Sequence, residues 1–212
     1  MDVRSVARPA CSWRRLLSVD SLFISGHEHL GHSAVASQHR LSVAAIDYLD
    51  TRPDVTAGIG IVGLSMGGEE SLNAAASDPR IAAVVADGAG VGSYDDSVAS
   101  GAHAMARLIN WTQYRLIEVL SDAPQPAGIV ASLPEISPRP VLIISGEEAV
   151  EKEMGPIYAE AGGATTELWE LRDTPHTKGL SFHRSDYTRR VLHLFKDALL
   201  GTDATDTKED AH

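Results

Sequence analysis

Apolar residues fall into two kinds of run along this chain. Residues 59–64, IGIVGL, and 81–90, IAAVVADGAG, are apolar at nearly every position, as expected of strands buried on both faces. RPVLIISG at 139–146 predicts a third strand, and TELWEL at 166–171 a fourth. Between them the apolar positions take helical spacing. Leu41, Ala44, Ala45, Tyr48 and Leu49 fall at i, i+3, i+4, i+7 and i+8, which predicts an amphipathic helix over 38–50 that ends at TRPD. Further helices are predicted at 69–77, 149–161 and 185–200. In the last, Tyr187, Val191, Leu194, Phe195, Ala198 and Leu199 form one apolar stripe. SLFIS at 21–25 is a short strand candidate, whereas residues 1–18 show no clear period and are expected to be loosely ordered.

Strands alternating with helices predict an α/β fold: a mostly parallel sheet with helices on both faces, in a single domain over 1–200. The polar, acidic segment 201–212 is expected to be a disordered tail. Residues 91–138 separate two strands by far more than an ordinary crossover. Met105, Leu108, Ile109, Thr112, Leu116, Val119 and Leu120 predict a long helix within them, with Trp111 and Tyr114 nearby. A cap or lid over an active site and an ordinary covering helix with a long loop are both open readings of this insertion.

Composition narrows the function. The formal net charge of -11 repels phosphate backbones, so nucleic acid is not an expected partner. The single cysteine, Cys11, excludes an internal disulfide and fits a reducing cytoplasm. No apolar run is long enough to span a membrane, so no membrane partner is expected. Arg4, Arg8, Arg14 and Arg15 precede LLSVDSLFI much as a signal peptide begins, but Asp20 interrupts that run and no small-residue cleavage site follows. The expected location is cytoplasmic.

The strand at 59–64 stops on a hydroxyl boxed in by glycines. Gly63, Leu64, Ser65, Met66 and Gly67 read GxSxG, the pattern that lifts a nucleophilic serine onto a sharp strand-to-helix turn. Ser65 stands at the carboxyl end of a buried strand, where parallel sheets carry their functional groups. The helix behind it would stabilise an oxyanion with its N-terminal N–H groups. A serine hydroxyl needs a base. Of nine histidines, His176 lies in a turn-rich loop after the fourth strand, on the same rim as Ser65, whereas His183 and His193 are expected to face solvent or to pack. The third member should be a carboxylate after the third strand, where SGEEAVEKE offers Glu147, Glu148, Glu151 and Glu153. Glu148 is the first choice and Glu151 the alternative, with Asp87 at the end of the second strand as an outside candidate.

AAIDYLDTRPDV, IGIVGLSMGGEESLNAAASDPRIAAVV, PRPVLIISGEE and TPHTKGL together resemble the α/β-hydrolase superfamily, in particular its dienelactone-hydrolase and prolyl-peptidase-like branches, over about 42–200. The resemblance implies a serine hydrolase that needs no cofactor and acts on a small-molecule ester or related acyl compound. It implies Ser65 as nucleophile, His176 as base and the Met66 backbone N–H as one oxyanion donor. The family usually carries its acid three residues beyond the glycine that corresponds to Gly146, and this chain has Ala149 there. Members of the family also have several strands before the nucleophile strand, and a loop after one of them gives the second oxyanion donor. Only one clear strand and one clear helix precede Ser65 here. SLFISGHEHLG is the candidate substitute for that loop, and without it half of the oxyanion hole is missing.

Two rival readings remain. His27, His29 and His32 form HxHxxH, a spacing similar to the HxHxDH of the metallo-β-lactamase fold, in which imidazoles converge on zinc. Gly31 stands in place of the aspartate, and no downstream ligand set matches. The other reading is a shortened, weakly active or inactive hydrolase domain. If SLFIS does not pair with IGIVGL, an open apolar strand edge results, and the chain is expected to dimerise or aggregate. Loss of one oxyanion donor lowers kcat about 100-fold to 1000-fold. Light scattering, and ester turnover compared with a version carrying the N-terminal half of a longer relative, would read both effects.

Overall fold

The buried runs become a parallel sheet. The computed structural model describes residues 16–19, 34–53, 55, 58–121 and 127–200. In chain order the elements are β1 (Leu16–Val19), α1 (Ala34–Asp50), β2 (Ile59–Leu64), α2 (Met66–Ser77), β3 (Ile81–Asp87), α3 (Tyr94–Ala99), α4 (Ala104–Ser121), α5 (Ile129–Ile136), β4 (Val141–Ser145), α6 (Ala149–Gly162), a 3-10 turn (Gly163–Thr165), β5 (Thr166–Glu170), α7 (Gly179–Phe182) and α8 (Arg184–Leu200). The strands lie side by side in the order β1-β2-β3-β4-β5, every pair parallel. All described strand ends that can carry a site therefore open on one rim.

Helices cover both faces, as the doubly apolar strands require. On one face Ile46 of α1, Leu72 of α2, Leu133 and Ile136 of α5, and Met154 and Tyr158 of α6 pack on Ile61, Val84 and Ile143. On the other, Tyr187, Val191 and Phe195 of α8 pack on Ala83, Val85, Leu142 and Ile144. Neighbours along β3 thus go to opposite cores, as the two-residue period of a strand demands. No described helix is long and apolar enough to cross a membrane.

The N-terminal expectation needs correction. The expected strand at 21–25 lies outside the described residues, and the strand that pairs with β2 is 16–19, which begins inside the segment 1–18 expected to be loosely ordered. Leu16 aligns with Gly60 and Val19 with Gly63. The reason is a constraint on β2: its backbone groups on that side, inside the fold, need partners, and LLSV supplies them. The edge of β2 is therefore covered by β1.

The long excursion between β3 and β4 divides into two parts. α5 belongs to the body, with Ile129, Leu133 and Ile136 almost fully buried. No residue of α3 or α4 joins either core cluster among the described residues. Asp96 of α3 fastens the two parts together. Fully buried, it accepts hydrogen bonds from the Ser93 hydroxyl (2.9 Å) and from the Ile129 and Val130 N–H groups (3.0 Å each). A carboxylate on two orphan donors at the start of α5 satisfies that helix end and its dipole together. Asp96→Ala leaves those donors without an acceptor and should lower stability by about 3 kcal/mol, read as a shift of the urea midpoint at unchanged slope.

Candidate active site

Ser65 occupies the turn between β2 and α2 with φ 53° and ψ -127°, backbone angles that a non-glycine residue rarely takes. Two neighbours make this turn possible. The Ser65 N–H donates to the Asp87 carbonyl (2.8 Å), which locks the turn onto β3. Gly63 lies so close to the next chain segment that a Cβ there would sit 2.1 Å from the Gly67 carbonyl oxygen. Only glycine fits. Ser65 is also the residue that caps α2, a position where a serine side chain ordinarily bonds the first helical N–H groups. Here it makes no such bond, and its hydroxyl goes elsewhere.

The Ser65 Oγ–H donates to His176 Nε2 at 2.9 Å, and His176 Nδ1–H donates to Glu151 Oε1 at 2.5 Å. The second oxygen of Glu151 accepts the Gly146 N–H, also at 2.5 Å. The Glu151 side chain is 1% exposed and the His176 side chain 38%. The histidine loop, 171–178, is held to the loop after β4 by the Glu147 N–H on the Thr174 carbonyl (2.8 Å) and by the Asp173 N–H on Glu147 Oε1 (3.2 Å). Beneath the ring, Gly88 has φ 76°, and a Cβ on it would come 3.0 Å from two imidazole atoms. Met66 opens α2 immediately after Ser65, and helix geometry leaves its N–H without an acceptor inside the helix.

Of the two glutamates favoured by sequence, the structure brings the second to the imidazole. Glu148 is corrected to an exposed residue at the start of α6, its extended backbone turning the side chain outward. One turn later the helical rotation carries Glu151 inward, between the β4 loop and the histidine. His183 instead bonds the Thr174 hydroxyl at 2.8 Å, and His193 pairs with Asp197 on the surface. His27, His29, His32 and the proposed SLFISGHEHLG donor loop lie outside the described residues. Among the described residues no group of three or more His, Cys, Asp or Glu side chains could hold a metal.

Two further carboxyls surround the imidazole. Asp87 is 2% exposed; burial pushes its pKa up to about 6, opposed mainly by a hydrogen bond with the Tyr187 side chain, and its Oδ2 has no partner. Glu69, in the first turn of α2, is pushed up to about 7 by burial, against the lowering effect of the Gly90 N–H at 3.0 Å. The charges of Asp96 and Glu70 raise it further and His176 lowers it. The sequence reading passed over Glu69. Its signal was a pair of glutamates directly behind the elbow glycines, in a helix whose other residues are all uncharged.

Both shifts make stability fall with pH. An unfolded aspartate ionises near 3.8 and an unfolded glutamate near 4.5, whereas the folded chain holds these protons to about 6 and about 7. The stabilisation is complete below the unfolded values and is lost as pH rises through the folded ones, by up to about 3 kcal/mol per group. Asp87→Asn and Glu69→Gln should therefore stabilise the chain more at pH 8 than at pH 4 in denaturant melts, and a difference that does not change with pH would contradict the shifts.

With this geometry in place, comparison with known proteins gives one family match and many structural ones. Residues 43–122 match the family described as BAAT / Acyl-CoA thioester hydrolase C terminal. No curated protein gives a significant sequence match. The Pyrococcus furiosus esterase Pf2001 is similar over 78% of this chain and 64% of its own, at 22% identity and a TM-score of 0.55. The α/β hydrolase GrgF from Penicillium sp. sh18 is similar over 78% of this chain and 73% of its own, at 19% identity and a TM-score of 0.57. The acetyl xylan esterase from Paenibacillus sp. R4 is similar over 80% of this chain and 58% of its own, at 21% identity and a TM-score of 0.55. The chain thus spans less than two thirds of the length of two of these three proteins. Its parallel sheet and the solved structures it resembles give the chain an α/β-hydrolase fold.

Proposed function

We propose that this chain is a serine hydrolase of carboxylic esters or related acyl compounds, thioesters among them. The observation that carries the reading is the unbroken hydrogen-bond relay from Ser65 through His176 to buried Glu151. His176 Nε2 takes the hydroxyl proton as Ser65 Oγ attacks the acyl carbon. Glu151 holds the Nδ1–H tautomer and stabilises the imidazolium that forms, while its own charge is fixed by the Gly146 N–H. The oxyanion develops at the start of α2, where the Met66 N–H and the positive end of the helix dipole face it. The imidazolium returns its proton to the leaving oxygen or sulfur, and water, activated by the same histidine, releases the acyl group from Ser65.

Support for the thioester option comes from the family match, whose description names acyl-CoA thioester hydrolysis. The neighbouring structures, named as esterases, support the oxygen ester. No cofactor enters any step. α3 and α4 stand outside the sheet's cores beside the loop after β3, and they take the role of a cap over the acyl group. Tyr114 of α4 anchors them there by donating to the Val91 carbonyl at 3.1 Å.

Ser65→Ala should abolish both p-nitrophenyl acetate turnover and labelling by a fluorophosphonate probe. Glu151→Ala should lower kcat about 1000-fold, while Glu148→Ala should leave it within about twofold. Full turnover by the Ser65 variant would sink the assignment, and equal effects at the two glutamates would displace Glu151 from the relay.

A further inference from the structure

α4 presents its apolar stripe to the outside. Met105, Leu108, Ile109, Leu116, Val119 and Leu120 are each between 54% and 77% exposed, although their spacing is that of a core-facing helix. The orientation is fixed from the other side. Asn110 Nδ2 donates to the Ser97 hydroxyl (2.7 Å), and the Tyr114 hydroxyl to the Val91 carbonyl (3.1 Å). Turning the stripe toward the body would break both bonds. A continuous apolar surface of this length on one helix marks an interaction site.

We propose that this stripe is a homodimer interface, in which α4 packs antiparallel on α4 of a second copy, with the two-fold axis at Thr112. Three observations favour a second copy over other occupants. The stripe is nearly palindromic about Thr112. Leu108 and Leu116 lie four residues to either side, Met105 and Val119 seven, and Ala104 and Leu120 eight. An isologous contact therefore sets apolar residues against apolar residues at these three pairs, and Ile109 against the stem of Arg115, whose guanidinium pairs with Glu118. The residue on the axis is small, and its hydroxyl already donates to the Leu108 carbonyl of its own helix at 2.8 Å, so Thr112 presents a methyl group and burial leaves no polar atom unpaired. Size and charge agree with this occupant. A helix of 18 residues is about 27 Å long, and two such stripes face to face bury on the order of 1,000 Å² in total, the size of a weak, reversible dimer. The chain's net charge of -11 disfavours an anionic lipid surface, and α4 lacks the dense row of cations by which interfacial helices hold one.

The proposal concerns association only, so its failure would leave the reading of Ser65 untouched. The test is sedimentation velocity at tens of micromolar, with cysteine cross-linking in a Cys11→Ser background. A dimer is expected. Thr112→Cys should form an intermolecular disulfide under mild oxidation, whereas Gln113→Cys, about 100° around the helix, should not. Leu116→Glu, a change at an exposed position, should weaken the dimer about 100-fold without loss of helical circular dichroism. A monomeric wild type would overturn the proposal, whether residues 1–15 of the same chain cover the stripe or the monomer floats with phosphatidylcholine vesicles. A dimer that survives Leu116→Glu, or that fails to cross-link through Thr112→Cys, would overturn it equally.

Discussion

The reversal of the chain at Ser65 is the constraint on which the rest of the structure depends. Its backbone angles cost about 1–3 kcal/mol relative to an ordinary turn, so neighbouring contacts must hold it. They come from β3, whose Asp87 carbonyl takes the Ser65 N–H, and from Gly63, which lets Gly67 cross within contact distance. The order β2-β3 therefore positions the nucleophile as well as building the core. Once the elbow is fixed, the Ser65 hydroxyl points away from the helix it caps and toward the rim. The loop after β5 and the loop after β4 then have only to meet above Gly88.

Two buried carboxyls, Asp87 and Glu151, and the half-buried Glu69 act on one imidazole, and their hydrogen-bond donors set them apart. Glu151 receives two N–H groups, from His176 and Gly146. Asp87 has the Tyr187 hydrogen bond and one oxygen with no partner, and Glu69 has the Gly90 N–H. Burial disfavours the charges of Asp87 and Glu69, and their hydrogen bonds and the charge of His176 offset it only in part. The pKa values of these two carboxyls rise to about 6 and about 7.

Where sequence and structure agree or part follows from what each signal measures. β2, β3 and β4 could be read because strands buried on both faces leave unbroken apolar runs, and Ser65 and His176 because their positions at strand ends do not depend on side-chain rotation. β1 could not. Four residues at 16–19 carry little pattern of their own, and they are strand because β2 needs a partner on that edge. Glu148 and Glu151 could not be separated, since the choice rests on where α6 begins and which way its first turn faces. In α4 the spacing gave the helix and its stripe. Periodicity does not say which way a stripe points, and Asn110 and Tyr114 turned this one outward.

The same two anchors set how α4 relates to the catalytic rim. No described residue of α3 or α4 enters either core cluster, so the bonds described between this pair and the body are polar, from Asp96 to α5 and from Tyr114 to Val91. Asp96 marks the boundary: it bonds Ser93 at the start of α3 and the N-terminus of α5, which is itself buried against α2 and α6. Strain at the elbow and order in the excursion are thereby held by separate sets of contacts. Covering the stripe can order α4 without altering the backbone at Ser65. Besides the path through α3, Asp96 and α5, a direct route from one to the other runs through the segment 88–93, where Glu69, Tyr114 and Tyr158 bond successive backbone groups at Gly90 and Val91. Coupling between α4 and the imidazole along that short stretch would run from Tyr114 at Val91 to Gly88 beneath the ring, with Glu69, on which the charge of His176 acts, holding Gly90 between them.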